Sequence, residues 1–338
     1  MRIAVVYATD FGTVSPGGIQ NFAFLIGTAA PRDMEVTYFG VGTPHRLPRD
    51  RDGWISVMES APNSGRLNPR FTARLAFYAP ALRSFDAVVI HRPEHVFALS
   101  SSNVVGVLHG GTLNAWRMGR RATGIASLIS EGWAAARSRC LISVDVEGLL
   151  PAWRHLARSV YATRVPLNPV FAAHVPAPRR ERLLSVGRLD PEKRVDLIVR
   201  LSALMGWSLI VVGAGTEADA LQTLARRVAP GFVEFRGALA PSEIATLYAS
   251  GGVHVTCSIV EGYPLACVEA LACGIPAVAL ATTGLTQLTR YGLRLFDSLE
   301  QLAEKIPSLP APDVELVRRE HAVKTVGRQF WTEVQSAI

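Results

Sequence analysis

Short apolar runs, nearly unbroken by polar residues, recur along the chain. In the first half they are Ile3–Tyr7, Val36–Gly40, Ala87–His91, Val104–His109 and Cys140–Val144. In the second half they are Leu183–Val186, Leu209–Val212, Val233–Phe235, Val253–Cys257 and Ala277–Leu280. Runs of this length without alternation suit strands buried on both faces, as in parallel sheets. Between them lie segments with helical spacing: Ile19–Ala29, 66–84, Pro191–Leu204 and an amphipathic end, Thr325–Ile338. Strand, turn and helix in repeated order predict two doubly wound α/β domains. Pro166, Pro169, Pro176 and Pro178 cluster between the halves. The expected division is a first domain over 1–165, a linker over 166–180, a second domain over 181–324 and a closing helix over 325–338.

One stretch carries chemistry beyond this pattern. After the strand Val253–Cys257 come Glu261, Gly262, Tyr263 and Pro264, then an apolar run holding Glu269 and closed by Gly274. Pro264 suits the first turn of a helix, where its missing N–H has no partner to lose. Gly274 suits that helix's C-cap. Glu261 thus falls at a strand's carboxyl end beside a helix start, and Glu269 inside the helix. Free N–H groups at a helix start receive phosphate, and carboxylates accept hydrogen bonds from sugar hydroxyls. The pattern points to a sugar attached to a phosphate. Arg188 and Lys193 likewise follow the strand Leu183–Val186 and flank a helix start.

The segment Glu261–Glu269 resembles the E-x7-E signature of retaining glycosyltransferases of the GT-B fold, family 4. The stretch Gly187-Arg188-Leu189-Asp190-Pro191-Glu192-Lys193 is similar to that family's G-R-x4-K element. The resemblance implies two Rossmann-like domains facing across a cleft and a hexosyl transfer from a nucleoside-diphosphate sugar, UDP before GDP. It implies that Arg188 and Lys193 stabilise the departing diphosphate, Glu261 holds the donor sugar and Glu269 the ribose. By the same resemblance His109, after its strand, lies close to the donor sugar. Gly17 and Gly18 would meet the donor phosphates, as would the helix start at Tyr263, Pro264, Leu265 and Ala266. Gly213 and Gly215 would accommodate ribose or phosphate, and Arg236 and Gly237 the base. Asn168 and Phe171 resemble part of the family's linker motif, without its glycine and aspartate. The same resemblance sends the closing helix back onto the first domain.

Composition narrows the alternatives. The chain has 338 residues, 49% hydrophobic and 19% charged, which fits two buried globular domains. No apolar run reaches the length of a membrane span and no leader is recognisable, so a cytoplasmic protein is expected. Cys140, Cys257, Cys267 and Cys273 show no zinc spacing, and no Asp-x-Asp element appears; neither metal nor other cofactor is expected. The net charge of +7 arises in the first half: residues 1–170 hold 18 arginines against 11 acids. Arg66, Arg70 and Arg74 recur beside an apolar stripe, which admits either an ordinary surface helix or peripheral contact with an anionic membrane. The acceptor is left open among glycan, lipid-linked, protein and small-molecule hydroxyls, and nucleic acid is not expected. Three other activities remain open on such a scaffold: a nucleotide-sugar epimerase, a phosphorylase and a non-catalytic nucleotide-sugar binder.

Overall fold

The computed structural model describes residues 1–8, 18–44, 47–59, 68–99, 103–110, 112–144, 149–173, 181–281 and 284–338. They form two compact units, Met1–Pro166 with Val323–Ile338, and Leu167–Ala322.

The first unit holds β1 (Arg2–Val6), β2 (Glu35–Val41), β3 (Gly53–Met58), β4 (Ala87–Ile90), β5 (Val104–Leu108), β6 (Cys140–Ser143) and β7 (Val160–Ala162). They pair in parallel in the order β3-β2-β1-β4-β5-β6-β7. Strand order therefore reverses between β1 and β4, the position where doubly wound sheets open a crevice at their carboxyl ends. The helix Val323–Ser336 belongs to this unit. Its Trp331 indole donates to the Ile26 carbonyl at 3.0 Å, and Phe330 meets Phe22 edge to face.

The helix expected over 66–84 is broken. A helix over Pro69–Leu75 passes through a 3-10 turn at Ala76–Tyr78 into a short helix over Ala79–Leu82. Pro80 supplies the reason: it has no N–H to return to Ala76, and its ring would crowd that carbonyl. Phe71, Leu75 and Leu82 are buried in the core with Phe39 and Val88, while Arg70 and Arg74 are exposed. The apolar stripe of this segment is therefore core rather than a membrane-facing surface; Arg66 lies outside the described residues.

The second unit holds β8 (Arg182–Val186), β9 (Ser208–Val212), β10 (Val233–Phe235), β11 (Val253–Thr256), β12 (Ala277–Leu280) and β13 (Arg294–Phe296). The order is β10-β9-β8-β11-β12-β13, again parallel, with the reversal between β8 and β11. Successive residues feed opposite faces: Leu183, Leu209 and Val211 join Ile198 and Leu201 on one side, while Leu184 and Ile210 join Leu271 and Tyr291 on the other. Both faces are covered, which is why the strands read as continuous apolar runs. The proline-rich stretch enters this unit at once, because Leu167 and Phe171 are buried in its core.

Gly213 and Gly215 have a packing role. A Cβ at Gly213 would overlap the carbonyl of Gly187, and one at Gly215 the backbone of Leu189. Gly213 also has φ +136, a conformation side chains resist. Replacing Gly213 by Ala should lower stability by about 3 kcal/mol or more, since backbone overlap adds to dihedral strain. Gly231 has φ +78 but open space around it, so Gly231→Ala should lose only about 1 kcal/mol. Urea unfolding of the two variants checks the contrast; equal losses would contradict the close approach of the two loops.

Candidate functional site

The reversal between β8 and β11 brings two loops side by side. From β8 the chain runs through Gly187, Arg188 and Asp190 into a 3-10 turn, Pro191–Lys193. The helix expected over Pro191–Leu204 does not run through: it breaks at Arg194 and resumes as Val195–Met205. Arg194, with φ 49, is the one non-glycine residue of positive φ among the described residues. Such a conformation costs about 1–2 kcal/mol for an L-residue, and here it sets the Lys193 backbone apart from the helix.

From β11 the second loop passes Ser258 to Glu261. The Ile259 N–H donates to the Glu192 carbonyl at 2.8 Å, tying the two loops backbone to backbone. Lys193 Nζ donates to Glu261 Oε1 at 2.7 Å, and Ser258 Oγ donates to the same oxygen at 2.6 Å. Thr256 Oγ1 in turn lies 3.1 Å from Ser258 Oγ. The lysine and glutamate side chains keep 22% and 14% of their surface, so the pair is sheltered but reachable from solvent. Nothing in the sequence marks Ser258: a serine three residues before a glutamate has no signal outside the folded loop.

Arg188 is differently placed. Its guanidinium pairs with Asp190 and, at 3.1 Å, with Glu192, and its side chain is 64% exposed. Asp190 and Glu192 therefore hold this arginine by their carboxylates.

Glu269 lies in the helix Leu265–Ala272. Its carboxyl has no hydrogen-bond or ion-pair partner among the described residues. It keeps partial solvent contact, yet its surroundings are apolar, and desolvation pushes its carboxyl up to about 8. The group is thus largely protonated at neutral pH. Pro264 stands at the N-cap instead of in the first turn, its backbone being non-helical with ψ 82. Leu265 and Ala266 open the helix, half-buried. Tyr263 turns its hydroxyl to His321 Nε2, 3.3 Å away, inside the unit. Gly274, with φ +81, ends the helix, donating to the Leu271 carbonyl.

Arg236 is exposed and holds both oxygens of Glu234, at 2.8 and 3.2 Å. The carbonyl of Gly237 accepts the Gly213 N–H at 2.7 Å, so this loop is tied to the 213–215 glycines. The structure thus brings Arg188, Lys193, Glu261, Gly213 and Gly215 around the loops at the β8/β11 reversal.

In the first unit, His109 follows β5 and His91 follows β4. His91 Nδ1 and His109 Nε2 are 3.0 Å apart with stacked rings, and Phe22 meets His109 edge to face at 4.8 Å. Burial lowers the pKa of His91 to about 3 and holds His109 well below its ordinary value, with His91 and Arg92 adding to the effect. Both rings are neutral at physiological pH, one donating to the other. In the sequence His91 reads only as the end of a buried strand. Gly18 opens the helix Gly18–Thr28; Gly17 lies outside the described residues. Among the described residues no His/Cys/Asp/Glu cluster could hold a metal ion. The four cysteines are buried and free, and no helix there is long and apolar enough to cross a membrane.

Comparison with known proteins places these loops in context. Residues 170–310 match the family model described as glycosyl transferases group 1. D-inositol 3-phosphate glycosyltransferases of Mycobacterium tuberculosis and Mycobacterium bovis are 32% identical over 158 residues, 44% of this chain. The match spans 30% of the length of those relatives. Among solved structures, HepE of Anabaena in complex with UDP and glucose aligns with a TM-score of 0.76 at 15% identity, over 99% of this chain and 100% of the other. Sucrose-phosphate synthase of Thermosynechococcus elongatus aligns at 0.71 and 18% identity, over 99% and 94%. The fold is that of the GT-B glycosyltransferases, and residues 170–310 match glycosyl transferases group 1, which supports an enzyme that transfers sugars.

Proposed function

We propose that this chain is a retaining glycosyltransferase of family 4 that moves a hexosyl group from a nucleoside-diphosphate sugar to a hydroxyl acceptor. The observation that carries the reading is the Lys193–Glu261 pair at the β8/β11 reversal, 2.7 Å apart, sheltered but reachable from solvent. An anion-binding cation and a sugar-binding carboxylate stand together where such sheets bind ligands. UDP is the first donor nucleotide to test, since HepE is described with UDP and with UDP-glucose.

In this mechanism the bond between the anomeric carbon and the diphosphate oxygen breaks, and its electron pair stays with the diphosphate. The acceptor oxygen attacks from the same face and its proton passes to the departing phosphate. No enzymic nucleophile is needed. Lys193 exchanges Glu261 for the diphosphate as charge grows there, and Arg188 swings from Asp190 and Glu192 to add a second cation. Glu261, released from Lys193 but still bonded to Ser258, takes the sugar hydroxyls. Glu269, protonated, hydrogen-bonds the ribose, and neutral His109 is assigned to a donor-sugar hydroxyl.

Arg188→Ala and Lys193→Ala should each cut turnover by about 10²-fold or more, the loss expected when a transition-state donor is removed. Product formed with inverted anomeric configuration, read from proton coupling constants, would contradict the retaining assignment. Glu261→Ala should reduce transfer more than it weakens nucleoside-diphosphate binding.

For Glu269, titration calorimetry with UDP at pH 7 should show Glu269→Gln close to the native chain and Glu269→Ala weaker, because the amide copies the protonated acid. Equal losses would remove its role. Its folded pKa of about 8 lies above the ordinary carboxyl value of 4.5. The stability it contributes is therefore full below about 4.5 and is lost as pH rises through about 8. Glu269→Gln should raise the melting temperature at pH 9 relative to the native chain and change it little at pH 4.

A further inference from the structure

The helix Arg121–Arg137 in the first unit is turned inside out. Its buried positions are small or polar: Gly124, Ser130, Glu131, Ala134 and Ala135. Ile125, Ile129 and Trp133, four residues apart, form a single stripe on its outer side and are 54%, 58% and 48% exposed. The patch extends beyond the helix. Phe97 stacks on Trp133 with centroids 6.2 Å apart and is itself half exposed, and Trp116 lies across Gly124. A soluble surface helix shows the reverse pattern, and contiguous apolar patches of this kind mark a surface that meets something.

The rim says what it meets. Arg117 and Arg121 stand exposed at one end of the stripe and Arg137 at the other, and none of the three makes an ion pair among the described residues. The helix's one carboxylate, Glu131, is turned inward and accepts a hydrogen bond from Trp153 Nε1 at 3.1 Å. An apolar stripe bounded by tryptophan and flanked by exposed arginines complements a surface with apolar depth under a layer of negative charge. We infer that this face is a docking surface for an anionic lipid bilayer, with Ile125, Ile129 and Trp133 entering the acyl boundary and the arginines meeting phosphate headgroups. A protein partner of matching shape would offer apolar area but no reason for arginines on both sides. The surface shares no residue with the sugar-transfer site proposed above, and its test does not depend on that activity.

The test is sedimentation of the full chain with vesicles of phosphatidylcholine containing about one-third phosphatidylglycerol, at about 50 mM and about 500 mM salt. Binding is expected at low salt, strongly reduced at high salt, and absent for phosphatidylcholine alone. Arg117→Ala with Arg121→Ala should weaken partitioning by about thirtyfold at low salt. Ile129→Asp should weaken it by about tenfold or more. Brominated acyl chains should quench tryptophan fluorescence in the native chain and much less in Trp133→Phe. Lack of binding to the anionic vesicles overturns the inference, as does binding that ignores Ile129→Asp. Two further results would do so: a dimer in sedimentation velocity that Ile129→Asp dissociates, or an Ile125→Ser/Ile129→Ser variant melting many degrees lower. The first would make the stripe a self-association surface and the second a packing surface.

Discussion

The second unit depends on the contact between two loops that leave adjacent strands. Because β11 returns beside β8 and not beside β9, the carboxyl ends of these strands lie about 4.8 Å apart. The loops 187–193 and 258–261 are then forced together, and the Ile259–Glu192 backbone hydrogen bond fixes their separation. The glycines around them follow from this crowding: Gly213 and Gly215 make room for the first loop, and Gly284 lets the chain pass against the backbone of Glu261. Lys193 and Glu261, 68 residues apart in sequence, become partners as a result.

The charges at this point are arranged for exchange. A sheltered ion pair contributes little net stability, because the desolvation of both groups offsets most of their attraction. Its use is positional: Lys193 and Glu261 are held in place until ligands compete for them. Glu269, one helix turn further in, is kept neutral by its apolar surroundings instead of by a partner. The His91–His109 pair shows the same economy of charge, with a buried and a half-buried ring held neutral and hydrogen-bonded to each other. Cation, anion and neutral donors are thus set apart by environment and not by residue type alone.

Much of this was legible in the sequence where burial is two-sided. β8, β9, β11 and β12 are covered on both faces and appear as plain apolar runs, so their ends, and the motifs after them, could be located. β3, β7 and β13 do not stand out in the sequence, and each is an edge strand with half-exposed residues and a neighbour on one side only. A strand of that kind carries no continuous apolar run. Helical periodicity failed in two places for different reasons: Pro80 breaks a backbone hydrogen bond inside an otherwise regular stripe, and Arg194 adopts a left-handed conformation that its residue type does not announce. The partners of the site residues, Ser258 for Glu261 and His91 for His109, are products of the strand order, which local pattern does not encode. The apolar stripe at Ile125, Ile129 and Trp133 has ordinary helical spacing, and only burial shows that it faces outward.

Whether the β8/β11 loops hold the diphosphate and sugar of a nucleotide donor is read out by a crystal structure of the chain with UDP. The expected result is a diphosphate within hydrogen-bonding distance of Lys193 Nζ, the Lys193–Glu261 pair opened, and a ribose hydroxyl on Glu269. UDP bound elsewhere, or bound with that pair intact and no phosphate contact to Lys193, would contradict it.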